Sequence, residues 1–187
     1  LLSIISTVSI ICGSVWQCSA AALELPAVSA KACIVMEATT REVFFSQNAD
    51  EHLPMASTTK IMTTLLCLES GDLDTPFPVD NNAIQVEGSS MGLVKDDIVT
   101  KRSLCYGMLL PSGNDAAGAT AVKLAGSLSA FADLMNERAA QLGMQNTHFV
   151  TPSGLHDEQH YSTAYDMAIL TAVSYTHLRA HETELHL

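Results

Sequence analysis

A serine and a lysine three residues apart, Ser57 and Lys60, form the first pattern in the sequence that could do chemistry. On a helix, this spacing places both side chains on one face. A neutral lysine amine can take the proton of a serine hydroxyl, provided that burial or a nearby cation lowers the lysine pKa. The alternative is a serine that caps the helix beside a solvated lysine. Because Lys60 lies in an otherwise apolar helix, we favour a serine nucleophile.

The run Ser112-Gly113-Asn114 forms a second pattern, in a loop that follows Pro111. A hydroxyl can relay a proton, and a side-chain amide can hold a peptide group by donating and accepting together. The same residues would also suit an ordinary turn between helices, with Asn114 as the cap of the second helix. Ser46-Gln47-Asn48 has the same spacing, but it lies at a predicted strand end and is not expected to take part.

Histidines lie close together in two places, but neither group predicts a metal site. His148, His156 and His160 lie near two acidic residues in a loop, where solvation or backbone hydrogen bonding is favoured over metal binding. His177 and His181 could share a helix face, but two ligands without a third make a weak metal site. We therefore expect no metal and no other cofactor.

The elements that would position these residues follow from the hydropathy pattern. Apolar runs at 32–36 and 43–46 flank a turn and predict an antiparallel hairpin. Apolar periodicity predicts five helices, at 58–68, 101–110, 115–124, 129–142 and 163–173. The stretch 72–97 is rich in turn residues and is predicted to be irregular. A hairpin followed by helices predicts an α+β fold whose sheet lacks its later strands.

Composition limits the class of protein. The chain has 187 residues, of which 48% are hydrophobic, as expected for a globular domain. Nine Lys and Arg residues against 20 Asp and Glu residues give a net charge of -11, which disfavours a nucleic-acid partner.

The two ends of the chain differ from the rest. Residues 1–22 combine an apolar run with a small-residue segment and predict a secretory signal peptide that is incomplete at its N-terminus; the alternative is a buried helix. Without that segment, Cys33, Cys67 and Cys105 remain, and we interpret them as small core residues. Residues 174–187 do not continue the apolar spacing of the preceding helix, and we interpret them as a foreign or misassembled tail.

Three segments, at 54–63, 87–93 and 109–117, carry a further signal that extends beyond the two motifs. They closely resemble the serine-type D-alanyl-D-alanine carboxypeptidases, the low-molecular-mass penicillin-binding proteins of the peptidase S11 family. Shorter blocks extend the resemblance to about residue 173, at 142–144, 147–149, 152–155 and 160–164. The resemblance implies a β-lactamase/transpeptidase-like fold, with an antiparallel sheet, flanking helices and a helical subdomain. Residues 23–173 would then form part of the catalytic domain.

The resemblance also implies roles for the residues of both motifs. Ser57 would attack the D-Ala-D-Ala amide to form an acyl-enzyme, and its backbone N–H would form half of the oxyanion hole. Lys60 would be the general base, Ser112 would pass a proton to the leaving amine, and Asn114 would bind the substrate backbone. The expected partners are peptidoglycan stem peptides ending in D-Ala-D-Ala and, as acylating inhibitors, β-lactams. The expected setting is cell-wall biosynthesis, outside the cytoplasm.

The sequence departs from the family pattern in one respect. The third family motif, Lys-Thr-Gly or Lys-Ser-Gly, is absent, since none of the five lysines precedes such a pair. We therefore expect this chain to be inactive and its intact parent to be active. Membrane association is expected only through a missing C-terminal segment.

Two other functions remain open from the sequence. A serine β-lactamase of the same fold would need a device for fast deacylation, and the relevant stretch offers only Glu158. A non-catalytic envelope protein could use the fold to bind peptidoglycan.

Overall fold

The structure is a computed structural model that describes residues 28–184, with side chains described as far as Thr176. The predicted signal peptide at 1–22 lies outside the described residues, as do residues 185–187.

The predicted hairpin is present. Strand β1 (Cys33–Met36) pairs antiparallel with β2 (Val43–Gln47), with Cys33 opposite Gln47 and an irregularity after Val35. A second pair of short antiparallel strands was not predicted: β3 (Phe77–Pro78) lies within the stretch 72–97 that was predicted to be irregular, and β4 (Ile98–Val99) directly follows that stretch. Two-residue strands are too short to show an alternating pattern, so the sequence did not predict them.

All five predicted helices are present. After a 3-10 turn (Ala56–Thr59), they are α1 (Lys60–Glu69), α2 (Lys101–Leu109), α3 (Asn114–Ala125), α4 (Leu128–Leu142) and α5 (Ala164–Glu184). Helix α5 ends later than the predicted residue 173 and continues into the segment interpreted as a tail. Gly143 ends α4, as predicted.

Helix α1 lies at the centre of the molecule because most of its sides are apolar. One side packs against α2 and α3 in a cluster that includes Cys67, Leu104 and Met108. The other side packs against α4 and α5 in a cluster that includes Met62 and Leu65. The first motif lies where the 3-10 turn leads into α1. Because α1 is packed on two sides, the backbone that carries Lys60 is held in place.

The cysteines match their interpretation in part. Cys67 and Cys105 are buried in the core between α1 and α2, as predicted. Cys33 is only half-buried, at the start of β1.

Candidate active site

The amine of Lys60 lies where three segments of the chain meet. Its Nζ atom is 3.2 Å from Ser57 Oγ, 3.3 Å from Ser112 Oγ and 2.9 Å from the carbonyl oxygen of Ser153. The Lys60 side chain is buried, with only 1% of its surface exposed. The structure thus brings together the lysine and both serines predicted from the two motifs.

Burial lowers the pKa of Lys60, because a charged ammonium loses hydration inside the protein. A lowered pKa increases the fraction of neutral amine. Unlike the ammonium, the neutral amine has a free lone pair that can accept a proton. With a hydroxyl 3.2 Å away, that amine is within hydrogen-bond reach of the Ser57 proton. The pair can therefore activate a serine nucleophile.

Ser57 lies on the 3-10 turn that leads into α1, and it is exposed to solvent. The turn is tight: Ala56 has a φ of +44°, and Thr58 donates its N–H to the Met55 carbonyl. Ser57 therefore lies at the N-terminal end of a buried helix, where backbone N–H groups favour developing negative charge. The lysine below it is shielded from solvent.

Ser112 lies in the sharp connection between α2 and α3. Its φ of +60° is in the left-handed region, which few non-glycine residues adopt. The connection is fixed by the N–H of Gly113, which donates to the Gly107 carbonyl at 2.8 Å. Backbone strain of this kind is often found at functional sites. With this backbone, the Ser112 hydroxyl lies 3.3 Å from the Lys60 amine.

Asn114 does not cap α3, so that alternative from the sequence is wrong. Gly113 occupies the cap position, and Asn114 is the first residue of the helix. Its side-chain amide donates to the Glu87 carbonyl at 2.7 Å, and its backbone N–H donates to the Ser89 carbonyl at 2.7 Å. A Cβ atom at Gly88 would lie 2.8 Å from the Asn114 amide nitrogen, so Gly88 leaves room for this side chain.

Asp115 anchors the neighbouring segment 90–93, a role that was not predicted. Its carboxylate accepts hydrogen bonds from the Ser90 hydroxyl (2.6 Å) and from backbone N–H groups of Met91, Gly92, Leu93 and Ala116 (2.9–3.1 Å). Burial raises the pKa of this carboxyl, but the hydrogen bonds together lower it by more than burial raises it, so the pKa lies below its usual value. The charged form thus holds the segment beside Asn114.

Ser153 was also missed, because its backbone carbonyl, rather than its side chain, contacts Lys60. The next residue, Gly154, has a φ of +84°, and a Cβ atom there would overlap the Ala56 carbonyl oxygen and lie 2.9 Å from Thr59 Oγ1. The Pro-Ser-Gly sequence signals a turn, but it carries no sign of a contact with residues about 95 positions earlier.

Two of the three loop histidines, and the Gln47 and Asn48 side chains of the run Ser46-Gln47-Asn48, bond to the backbone. His148 Nδ1 is 2.6 Å from the Gln159 carbonyl oxygen, and His160 Nδ1 accepts the N–H of Val150, in keeping with the favoured interpretation of these histidines. Among residues with described side chains, no group of three or more His, Cys, Asp and Glu could hold a metal ion. Gln47 and Asn48 donate to the carbonyls of residues 30 and 31, near the start of the hairpin.

The fold and the site together define a class of protein. A structure of penicillin-binding protein 6B from Escherichia coli matches 82% of this chain and 52% of its own length, with a TM-score of 0.77 and 30% identity. A mutant of the Streptomyces K15 DD-transpeptidase matches 81% of this chain and 63% of its own length, with a TM-score of 0.76 and 30% identity. The chain therefore has the β-lactamase/transpeptidase-like fold that was predicted, as an α+β fragment with small sheets.

The chain belongs to the peptidase S11 family, described as D-alanyl-D-alanine carboxypeptidase, whose model matches residues 19–186. The carboxypeptidase DacF of Bacillus subtilis is 38% identical over 146 residues, which are 75% of this chain and 38% of the relative. DacC of Escherichia coli is 38% identical over 159 residues, which are 79% of this chain and 40% of the relative. The chain thus spans about two fifths of the length of these relatives.

Among the described residues, no helix combines the length and the apolar character that crossing a membrane requires.

Proposed function

We propose that the chain is the nucleophile-bearing part of a serine D-Ala-D-Ala carboxypeptidase that removes the terminal D-alanine from peptidoglycan pentapeptides. The observation that carries the proposal is the buried Lys60 amine, which lies 3.2–3.3 Å from two serine hydroxyls. The names of the relatives favour a carboxypeptidase over a β-lactamase.

The proposed reaction begins when neutral Lys60 takes the proton of Ser57. The freed Oγ atom attacks the carbonyl carbon of the penultimate D-alanine, and the backbone N–H of Ser57 supports the resulting oxyanion. The proton then passes through the Ser112 hydroxyl to the nitrogen of the leaving D-alanine as the C–N bond breaks. Water hydrolyses the remaining ester and restores the serine. Asn114 would hold the peptide backbone once its amide turns away from Glu87.

The partners and the location follow from this reaction. The substrate would be a peptidoglycan stem peptide that ends in D-Ala-D-Ala, and β-lactams would acylate the same Ser57. Because this substrate lies outside the cytoplasmic membrane, the protein would act in the cell envelope, in cell-wall biosynthesis and remodelling.

Labelling with a fluorescent penicillin, together with D-alanine release from a pentapeptide, tests the proposal. The full-length gene product should label once per molecule, whereas Ser57→Ala should not label and should release no D-alanine. Ser112→Ala should label slowly, while the matched control Ser46→Ala, from the second S-x-N pattern, should behave like the wild type. Labelling of Ser57→Ala at the wild-type rate would contradict the proposed nucleophile.

The same reagent tests the 187-residue chain. Because none of its lysines precedes Thr-Gly or Ser-Gly, we expect no stoichiometric labelling of this chain. Rapid labelling, one per molecule, would show that the third motif is dispensable for acylation.

A further inference from the structure

His160 forms hydrogen bonds to two segments that both contact Lys60. The side chain is buried, with 4% of its surface exposed. Its Nε2 atom is 2.8 Å from Thr59 Oγ1, in the turn that carries the nucleophile. Its Nδ1 atom accepts hydrogen bonds from the backbone N–H groups of Val150 (2.9 Å) and Thr151 (3.3 Å), which lie just before Ser153 in the chain. The imidazole therefore bridges the first turn of α1 and the loop that supplies the Ser153 carbonyl.

These contacts determine which nitrogen carries the proton. A backbone N–H can only donate, so Nδ1 must be an unprotonated acceptor. The proton of the neutral ring then lies on Nε2 and is donated to Thr59 Oγ1. Burial lowers the pKa of His160, partly opposed by the charge of Asp157 and reinforced by His148, which favours the neutral ring. A second proton, on Nδ1, would face the Val150 N–H and break that contact.

The bridged segments are those that position the base. Thr59 directly precedes Lys60 and is fully buried. On the other side, the loop is tied to α1 by the Pro152 carbonyl, which accepts from Thr63 Oγ1 at 2.7 Å, and by the Ser153 carbonyl, which accepts from Lys60 Nζ at 2.9 Å. A shift of the loop relative to the turn would therefore change the direction in which the Lys60 lone pair points.

We propose that His160 is a positioning residue for acyl transfer, whose neutral imidazole holds Thr59 and the 150–153 loop in the register that directs the Lys60 amine at Ser57. It touches neither the substrate nor the reacting atoms. The proposal rests on the proposed function, because it concerns the rate at which Ser57 is acylated.

The test uses the full-length gene product and a fluorescent penicillin, with two separate readouts. The final labelled fraction reports how much protein is correctly folded, and the first-order rate constant reports the geometry of the site. His160→Phe should lower the rate constant on the order of 10²-fold, because a misplacement of about 1 Å has an effect of that size. His160→Gln can still donate to Thr59 and should lose less. The matched control His148→Phe, in the same loop, should keep the wild-type rate constant.

A double-mutant cycle tests whether the effect runs through Thr59. Thr59→Val removes the hydroxyl with little change of shape and should itself slow acylation. Combined with His160→Gln, it should slow acylation less than the product of the two single effects, because Gln at position 160 only weakens a contact that Thr59→Val already removes. If His160→Phe does not fold, then Thr59→Val, His160→Gln and the double variant test the proposal instead, again by the first-order rate constant of labelling.

The outcomes separate this proposal from the proposed function. If the wild type labels at Ser57 but the His160 and Thr59 variants keep its rate constant and lose only labelled fraction, His160 is merely structural and the inference is overturned. If the wild type does not label at all, the proposed function fails. Nitrogen-15 NMR of histidine-labelled protein adds a direct check: a proton on Nδ1 of neutral His160 would also overturn the inference.

Discussion

The amine of Lys60 donates a hydrogen bond to the carbonyl oxygen of Ser153 across 2.9 Å. A carbonyl oxygen can only accept, whereas the hydroxyls of Ser57 and Ser112 can either donate or accept. When Lys60 is neutral, one of its N–H groups therefore stays on Ser153, and its lone pair is left for a hydroxyl. This contact orients the Lys60 amine as well as holding it in place.

Acylation of Ser57 should increase with pH, with a midpoint below the ordinary lysine pKa of 10.5. Burial lowers the pKa of Lys60. Below that pKa the residue is an ammonium that cannot accept a proton, and above it the neutral amine can. Lys60→Arg stays charged and should slow acylation by about 10²–10⁴-fold. Stopped-flow labelling of the full-length protein measures both effects.

Lys101→Arg is the matched control for that experiment. Lys101 is also largely buried, but its amine bonds to Ser70 and Gly71, at the other end of α1. Its replacement should leave the acylation rate near that of the wild type. A rate that does not change with pH, or rapid labelling of Lys60→Arg, would contradict the role of Lys60 as the base.

Gly154→Ala should destabilise the protein and slow acylation more than Gly126→Ala does. Both glycines have a left-handed backbone, so each alanine costs about 1–2 kcal/mol in strain. Nothing lies within 4 Å of a Cβ atom at Gly126, whereas a Cβ atom at Gly154 overlaps the Ala56 carbonyl oxygen, next to Ser57 in the chain. Urea unfolding and penicillin labelling compare the two variants. Equal effects in both assays would show that the Ala56 contact is unimportant.

Asp115→Asn should lower the free energy of unfolding by about 2–3 kcal/mol at neutral pH, since hydrogen bonds to a buried charge are lost. The folded-state pKa of Asp115 lies below the usual value of 3.8. The ionised form therefore stabilises the fold above pH 3.8, and this contribution is lost as the pH falls through the lower folded-state pKa. The difference between wild type and variant should shrink in acid.

Urea unfolding at several pH values measures the Asp115 effect. Asp74→Asn is the control, because Asp74 forms an exposed ion pair with Arg102 and should matter much less. A difference between wild type and Asp115→Asn that stays constant from pH 7 to pH 2 would argue against a charge-dependent anchor.

Alkylation of the native protein should modify Cys33 well before Cys67. Cys33 is half-buried, whereas Cys67 is fully buried and donates to the Lys101 carbonyl at 3.8 Å. A hydrogen bond with Cys105, together with burial, raises the pKa of Cys67, so little of its reactive thiolate forms. Peptide mapping after iodoacetamide treatment, with and without urea, measures this order. Equal labelling of both thiols in the native protein would contradict the packing of α1 against α2.

The local elements could be predicted from the sequence because they depend on short patterns. The hairpin and all five helices follow from apolar spacing and from turn residues. The end of α5 was placed at residue 173 because the apolar spacing stops there, but the helix continues to Glu184. The interpretation of 174–187 as a foreign tail stays a prediction.

Contacts between distant segments could not be predicted. Lys60 and both serines were chosen from their motifs, but the Ser153 carbonyl has no side-chain signature, and Thr59 lies 101 residues from His160. Asn114 was a candidate cap of α3, but Gly113 takes that position, and the Asn114 amide donates to the carbonyl of Glu87, 27 residues earlier. The catalytic roles of Ser57, Lys60 and Ser112 and the substrate-binding role of Asn114 stay predictions.

The partners of Asp115 are a hydroxyl and four backbone amides. Dipoles that are fixed in the backbone are not displaced by dissolved ions, and buried charges are screened much less than exposed ones. The attachment of segment 90–93 to α3 should therefore be nearly independent of ionic strength. The position of segment 90–93 beside Asn114 would then be the same in dilute buffer and in concentrated salt.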